Sequence, residues 1–275
     1  MGYRDILLYL DPNATNGSFI DAVAAFASAR GARLTGLYAV DVPAIPNYAK
    51  ANLPRELLEN HRKSIFARAE EIREQFQSAC SSADLSFEWR QVEGETEPAV
   101  SRAGRYADLL VLSGGAGVDA AHGEIAHLAM LGCGRPVLVI PATAPATAIG
   151  TRVIIAWNAR KEAARAVHDA LPLLREAVSV NVVSINPVNE EAAVSEHPER
   201  GLGAHLSRHG VDARLQSVKK KGANASQHLL DRAAEEQADL IVMGGYGHAR
   251  WRELVLGGVT AQMLRHTTVP LLISH

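Results

Sequence analysis

Four short apolar runs occur twice, in the same order, along this chain. DILLYLD at 5–11 resembles VIIAWN at 153–158, and RLTGLYAV at 33–40 resembles SVNVVSI at 179–185. ADLLVL at 107–112 returns as ADLIVM at 238–243, and PVLVI at 136–140 returns as PLLIS at 270–274. Self-similarity in order means two copies of one folding unit. The Pro/Ala/Thr stretch PATAPATAIG at 141–150 reads as the linker, which sets the domains at 1–146 and 147–275.

Each run is unbroken rather than alternating, the pattern of a strand buried on both faces. Helical patterns lie between them, at 161–177, at 224–237 with Asn224 or Ser226 as cap, and at 259–266. Strands alternating with helices predict the α/β class: two similar doubly wound domains, each a mainly parallel sheet with helices on both faces. Such sheets bind ligands at the carboxyl ends of their strands, where the strand order reverses.

Composition narrows the function. The net charge of −2 and a pI near 6.6 argue against a nucleic-acid coat and against an anionic membrane surface. Two cysteines, Cys80 and Cys133, are too few for a disulfide framework or a structural zinc site. The first residues lack a secretory pattern, and the apolar runs fall well short of the roughly 20 residues of a membrane helix. Leu7 stands where a myristoylation signal would carry Ser or Thr. The expectation is a cytoplasmic protein. With aromatics at 5%, its core must be built mostly of Ala, Val, Leu and Ile.

The sharpest chemical signal follows the run ADLIVM. Gly244 and Gly247 are separated by two residues, and nine residues later Gly257 and Gly258 directly precede a helix. Glycines let backbone approach a ligand closely, and a helix start offers free N–H groups to an anion. The pattern predicts a phosphate cradle from Gly244–Gly247 and Gly257–Thr260, with the Thr260 hydroxyl and the charges of Arg250 and Arg252 nearby.

This Gly-x2-Gly-x9-Gly stretch, with LRHTTVPLLIS after it, resembles the nucleotide signature of universal stress proteins. The similarity covers both halves, as in a tandem universal stress protein. The resemblance implies a five-stranded sheet in each domain, of the adenine nucleotide alpha hydrolase type. It also implies a stress-response binding or sensing module for ATP or another adenine nucleotide, with or without Mg²⁺. Carried over, the nucleotide-binding residues are Ala156, Trp157, Asn158, Ile185, Met243, Gly244, Gly247, Gly257, Gly258, Val259 and Thr260. Two positions depart from the pattern. Gly258 replaces a Ser/Thr, and Asn158 replaces an Asp, followed by Ala159 and Arg160 in place of Gly-Ser. No catalytic residue and no resident metal site is assigned. At most slow ATP hydrolysis is expected, because no Mg²⁺ carboxylate or general base stands beside the loop in sequence. An adenylate-processing enzyme and a ligand-free interaction protein are the alternatives.

The copies have diverged. The offset between them is 147 residues at Asp11 and Asn158, 131 at Ala107 and Ala238, and 134 at Pro136 and Pro270. The first copy therefore has 16 extra residues before its fourth strand, assigned to a long amphipathic helix within 42–78, and lacks three residues in the glycine loop. Gly123 matches Gly257 there, and Glu124 takes the second phosphate-loop position, where a carboxylate repels phosphate. One competent site is expected, in the second half.

Other motifs read as structural. SGGAGVD at 113–119 looks like the Ser-Gly-Gly-x-Asp loop of ATP pyrophosphatases, but that loop follows the first strand and this one the fourth. His205 and His209, four apart on a helix, lack a third metal ligand in sequence. His248 and His266 flank the glycine site, and Lys219–Lys221 closes a strand as solvated charge. Trp157 could wall a base or simply be a buried aromatic. The last strands of the two copies can pair within one chain as an internal pseudo-dimer, which leaves room for a homo-oligomer. No nucleic acid and no membrane is expected as partner.

Overall fold

Strands buried on both faces need apolar side chains on both, and the repeated runs supply them. The computed structural model describes residues 2–12, 17–40, 55–115, 120–141, 149–185, 198–218, 225–245 and 258–275. The first half holds β1 (Asp5–Leu10), α1 (Gly17–Ser28), β2 (Arg33–Val40), α2 (Arg55–Ser82), β3 (Phe87–Glu93), α3 (Thr96–Gly104), β4 (Leu109–Gly114), α4 (Ala120–Cys133) and β5 (Val137–Pro141). The second holds β6 (Arg152–Ala156), α5 (Lys161–Leu174), β7 (Ser179–Ile185), α6 (Pro198–Arg208), β8 (Ala213–Val218), α7 (Ala225–Glu235), β9 (Leu240–Gly244), α8 (Val259–His266) and β10 (Leu271–Ser274).

The ten strands form one sheet in the order β3-β2-β1-β4-β5-β10-β9-β6-β7-β8. Every pairing within a half is parallel, and the one between halves, β5 with β10, is antiparallel. The register reproduces the sequence repeat residue by residue. Ile6 faces Leu109 as Val153 faces Leu240, and Leu112 faces Val139 as Met243 faces Ile273. At the seam Leu138 faces Leu272, its own counterpart in the repeat, so a pseudo-two-fold axis passes through that pair. The pairing also removes two edges that would otherwise be open to other chains.

Side chains alternate between two apolar layers. Ile6, Leu8 and Leu10 of β1 and Val153 and Ile155 of β6 join the layer under α1, α2, α5 and α6. Leu7, Tyr9, Ile154 and Met243 join the layer under α3, α4, α7 and α8. Both layers run across the seam, where Tyr3 Oη donates to the Asp169 carbonyl at 2.7 Å.

The aspartate repeated in AlaAspLeu is a structural device. The Asp108 carboxylate accepts from the Arg4 and Asp5 amides at 2.8 and 3.1 Å. Its counterpart Asp239 accepts from Gly150, Thr151 and Arg152 at 3.0, 3.1 and 3.0 Å. Each clamps the backbone entering the first strand of its half to the start of the fourth.

Three helix boundaries differ from the sequence reading, the mildest being α7, which ends at Glu235 rather than 237. Helix α5 stops at Leu174 rather than 177, two residues after Pro172 interrupts its N–H series. The extra length of the first half enters α2, which runs 28 residues and reaches past 78 to Ser82.

Candidate functional site

The chain leaves β6 toward β7 on one side and returns to β9 on the other, so the carboxyl ends of β6 and β9 part at a crevice. Ala156 ends β6 opposite Met243. The Trp157 amide still donates to Val183 at 2.9 Å, and the chain then turns. The Asn158 Oδ1 accepts the Arg160 amide at 3.1 Å, an Asx turn that brings the chain into α5. Ala159 sits in the turn at φ 58°, a left-handed conformation that costs a non-glycine residue about 1 kcal/mol. Ile185 ends β7 opposite Val218, two residues beyond the β6 pairing.

On the β9 side, Gly244 is sterically required. A Cβ there would lie 2.5 Å from the Glu162 carbonyl carbon and closer still to the Ala163 nitrogen. The first turn of α5 therefore rests directly on the strand end. Gly245 donates its amide to Ser274 at 2.8 Å, and a side chain there would strike Met130 of the other half. The Met243 side chain is buried in the core, so only its backbone reaches the crevice.

Helix α8 begins where the sequence places it. Gly258 is its N-cap, with extended backbone, no side-chain capping bond and open space around the position of a Cβ. The first amides of the helix thus carry a positive end that no side chain among the described residues caps. Val259 is exposed, while Thr260 is buried and engaged inside the protein. Gln262 ties the helix to α7 through Ser226 Oγ at 2.5 Å. Gly247, Gly257, His248, Arg250 and Arg252 lie outside the described residues, as do Lys219–Lys221.

The fold brings one residue to the crevice that sequence reasoning missed. Glu162, in the first turn of α5, is only 5% exposed, its stem covers Gly244, and its Oε2 has no hydrogen-bond partner among the described residues. Among the described residues it pairs with the exposed Lys161, whose Nζ lies 3.6 Å from Oε1. The expectation that no carboxylate stands beside the glycine loop is thereby corrected. The signal was there, four residues after Asn158, but a glutamate in a first turn reads as an ordinary complement to the helix dipole. On the same face, packed with the layer that contains Ala166 and Val167, the Trp157 Nε1 is also buried without a partner among the described residues. A donor and an acceptor, each costing about 1–3 kcal/mol when buried unpaired, therefore stand at one end of one strand.

The matching end of the first half is lined by buried side chains of its own, among them Tyr38, whose Oη, like Trp157 Nε1, has no hydrogen-bond partner among the described residues. Asp11 is 5% exposed, with the Tyr9 hydroxyl 3.5 Å from its Oδ2. Burial, then the Asp11 charge, pushes the Tyr9 phenol well above its usual range. Burial likewise raises Tyr38, whose ring stacks on Trp89 at 6.0 Å. Arg68 of α2 donates to the Pro12 carbonyl at 3.3 Å, tying the enlarged helix to the end of β1. Ser113 takes the place of Gly244. Helix α4 starts at Ala120, so Glu124, the counterpart of Gly258, lies inside the helix and exposed rather than at its opening. The first half thus differs by an extended helix, not by a carboxylate placed in a phosphate loop.

His205 and His209 do meet, with ring centres 4.6 Å apart, and the Arg175 guanidinium lies 3.2 Å from His209 Nδ1. No group of three His, Cys, Asp or Glu side chains suited to a metal occurs among the described residues. Cys80 and Cys133 are buried free thiols, both raised in pKa by burial, Cys80 to about 12. An open depression lined by Asn181, Asp212, Arg214 and Glu236 lies at the amino ends of β7 and β8, away from the crevice.

Fold and crevice define a doubly wound α/β protein whose strand order reverses between β6 and β9 in its second half. Residues 151–275 match the model of the Universal stress protein family and carry a domain of that family. A universal stress protein of Synechocystis is 46% identical over 48 residues, a match covering 17% of this chain and 17% of that protein's length. A universal stress protein from Archaeoglobus fulgidus superposes with a TM-score of 0.75 at 13% identity, covering 98% of this chain and 95% of its own. A putative universal stress protein from Pseudomonas aeruginosa gives 0.60 at 15%, covering 99% and 93%. At these identities the likeness is one of fold, and it extends over both halves. Among the described residues no helix is long and apolar enough to cross a membrane.

Proposed function

We propose that this chain is a stress-response protein that binds ATP or a related adenine nucleotide at the crevice of its second half, as a binding or sensing module. The observation that carries this is the placement of Gly244 and Gly258. One lets α5 rest against the end of β9, and the other leaves the start of α8 uncapped, on either side of the Gly-x2-Gly-x9-Gly spacing. Trp157 Nε1 and Glu162 Oε2, buried without hydrogen-bond partners among the described residues, support a ligand there, and so does the family match of residues 151–275. On this reading domains 1–146 and 147–275 form an internal pseudo-dimer about the β5–β10 seam. The protein works in the cytoplasm without a membrane or nucleic-acid partner, and it is not a committed enzyme.

The test is mass spectrometry of the purified chain for co-purified nucleotide, followed by ATP titration of Gly258→Glu. That variant gives α8 the residue its counterpart helix carries, in space the fold leaves open. It is expected to keep the fold and lose measurable ATP binding. Unchanged affinity in Gly258→Glu overturns the reading.

A further inference from the structure

The joint between α5 and α6 has a counterpart in the first half, and the two differ in chemistry. In the first half Ser28 Oγ donates to the Ala83 carbonyl at 3.0 Å, tying the end of α1 to the turn after α2. In the second half the matching bond runs from Arg175 Nε to the His209 carbonyl at 3.1 Å. The amide bonds that close the two turns also match, Leu85 to the Cys80 carbonyl at 3.0 Å and Val211 to the Leu206 carbonyl at 2.9 Å. Where the first half has Ser28, Ala79, Ser82 and Ala83, the second therefore has Arg175, His205, Arg208 and His209.

The His205 and His209 rings lie 4.6 Å apart, and Arg175 Nη2 stands 3.2 Å from His209 Nδ1. A guanidinium only donates, so His209 Nδ1 must present its lone pair and the ring must be neutral. Its proton is then on Nε2, which leaves His209 no lone pair for a metal. Burial, then the charges of His209, Arg208 and His168, lowers His205 below its ordinary 6.5. The neighbouring carboxylates are engaged elsewhere. Glu176 is turned to Arg30 of the first half at 3.5 Å, and Asp169 accepts from Arg165 and Ser274 at 2.8 and 2.9 Å. Asp212 lines the depression it shares with Asn181 and Glu236. The strands beneath the joint present apolar Val180, Val182, Ala213 and Leu215.

We propose that the α5–α6 joint is an acid-sensitive latch, in which protonation of His205 and His209 sets cation against cation and frees the end of α6 from α5, while the α1–α2 joint of the first half stays shut. A base that takes up its proton less readily when folded gives stability that is whole above its unfolded pKa and is lost as pH falls toward its folded one. The latch therefore opens below about pH 6.5, where an ordinary histidine gains its charge. What loosens is the outer margin of the second half, α6 with the edge strand β8, and the pairing of β6 with β9 stays in place. The device is independent of the nucleotide reading.

The test is hydrogen exchange of the full chain, read by mass spectrometry at about pH 7.5 and about pH 5.5 and corrected for the intrinsic exchange rate at each. The ends of α6 and α2 are compared. In the natural chain, protection at the end of α6 should fall at least about fivefold on acidification, and at the end of α2 less than about twofold. The double variant His205→Ala, His209→Ala gives the joint the residues its counterpart carries, and both of its helices should lose less than about twofold. The contrast between the two helices of the natural chain tests the proposal even if the variant fails to fold. Equal loss in α6 and α2 overturns it, because it marks a global effect of acid. Unchanged protection of α6 overturns it too, as does a double variant that keeps the natural chain's loss.

Discussion

The two halves share a strand order and a register, yet their switch-point ends are opposites. In the second half the end of β6 is an exposed asparagine and a strained alanine, the end of β9 is a bare glycine, and α8 opens without a cap. In the first half the end of β1 is a buried aspartate beside two tyrosines, with Arg68 tied across it and α4 extended over the loop positions. One fold, held by the same Asp clamps, has been filled in one copy and left open in the other. The core of each unit therefore tolerates both arrangements, and on the proposed reading a few residues at the strand ends decide which half takes a ligand.

The largest effect should come from Gly244→Val. Its side chain would collide with the first turn of α5, and overpacking of this kind costs up to about 3 kcal/mol. The counterpart change Ser113→Gly should cost no more than about 1 kcal/mol. Chemical denaturation of both variants measures the difference, and equal losses would break the contrast between the two strand ends.

Next come the clamps. Asp239→Ala strands three amides and should cost about 2–3 kcal/mol, while Asp108→Ala strands two, more exposed ones and should cost about 1–2 kcal/mol. A reversed order would show that the first half, not the second, leans on its clamp.

A smaller effect, and of opposite sign, is expected at Ala159. Replacing it by glycine relieves the left-handed backbone and should stabilise the chain by up to about 1 kcal/mol. No gain in the denaturation midpoint would mean that the Asx turn is not under strain.

Alkaline pH separates the halves more gently. Tyr3, Tyr9, Tyr38, Cys80 and Cys133 are all raised chiefly by burial, and all five belong to the first half. A group that loses its proton less readily when folded gives stability that is whole below its unfolded pKa and is lost as pH climbs toward its folded one. For Cys80 that window runs from about 9 to about 12. Hydrogen exchange above pH 9 should therefore loosen β1 and β2 before β6 and β7. Earlier loss in β6 and β7 would contradict the assignment.

Much of the fold was legible because a parallel strand covered on both faces must be apolar throughout, and ADLLVL and ADLIVM meet that demand twice. Gly258 was legible as a helix start because the periodic residues begin immediately after it. Glu162 was not, because its importance comes from the close approach of α5 to Gly244, a contact between elements about 80 residues apart. The closure of the first half was read as a charge at Glu124. In the structure it comes from the earlier start of α4 and from Arg68 on the inserted helix. Local residue identity shows neither, since both depend on where a helix begins and what it reaches.

The central claim, one open ligand site and one filled, is tested most directly by the stoichiometry of ATP binding to the intact chain in the presence of Mg²⁺. The account requires one nucleotide per chain, lost in Gly258→Glu. Two nucleotides per chain, or one that persists in that variant, would contradict it.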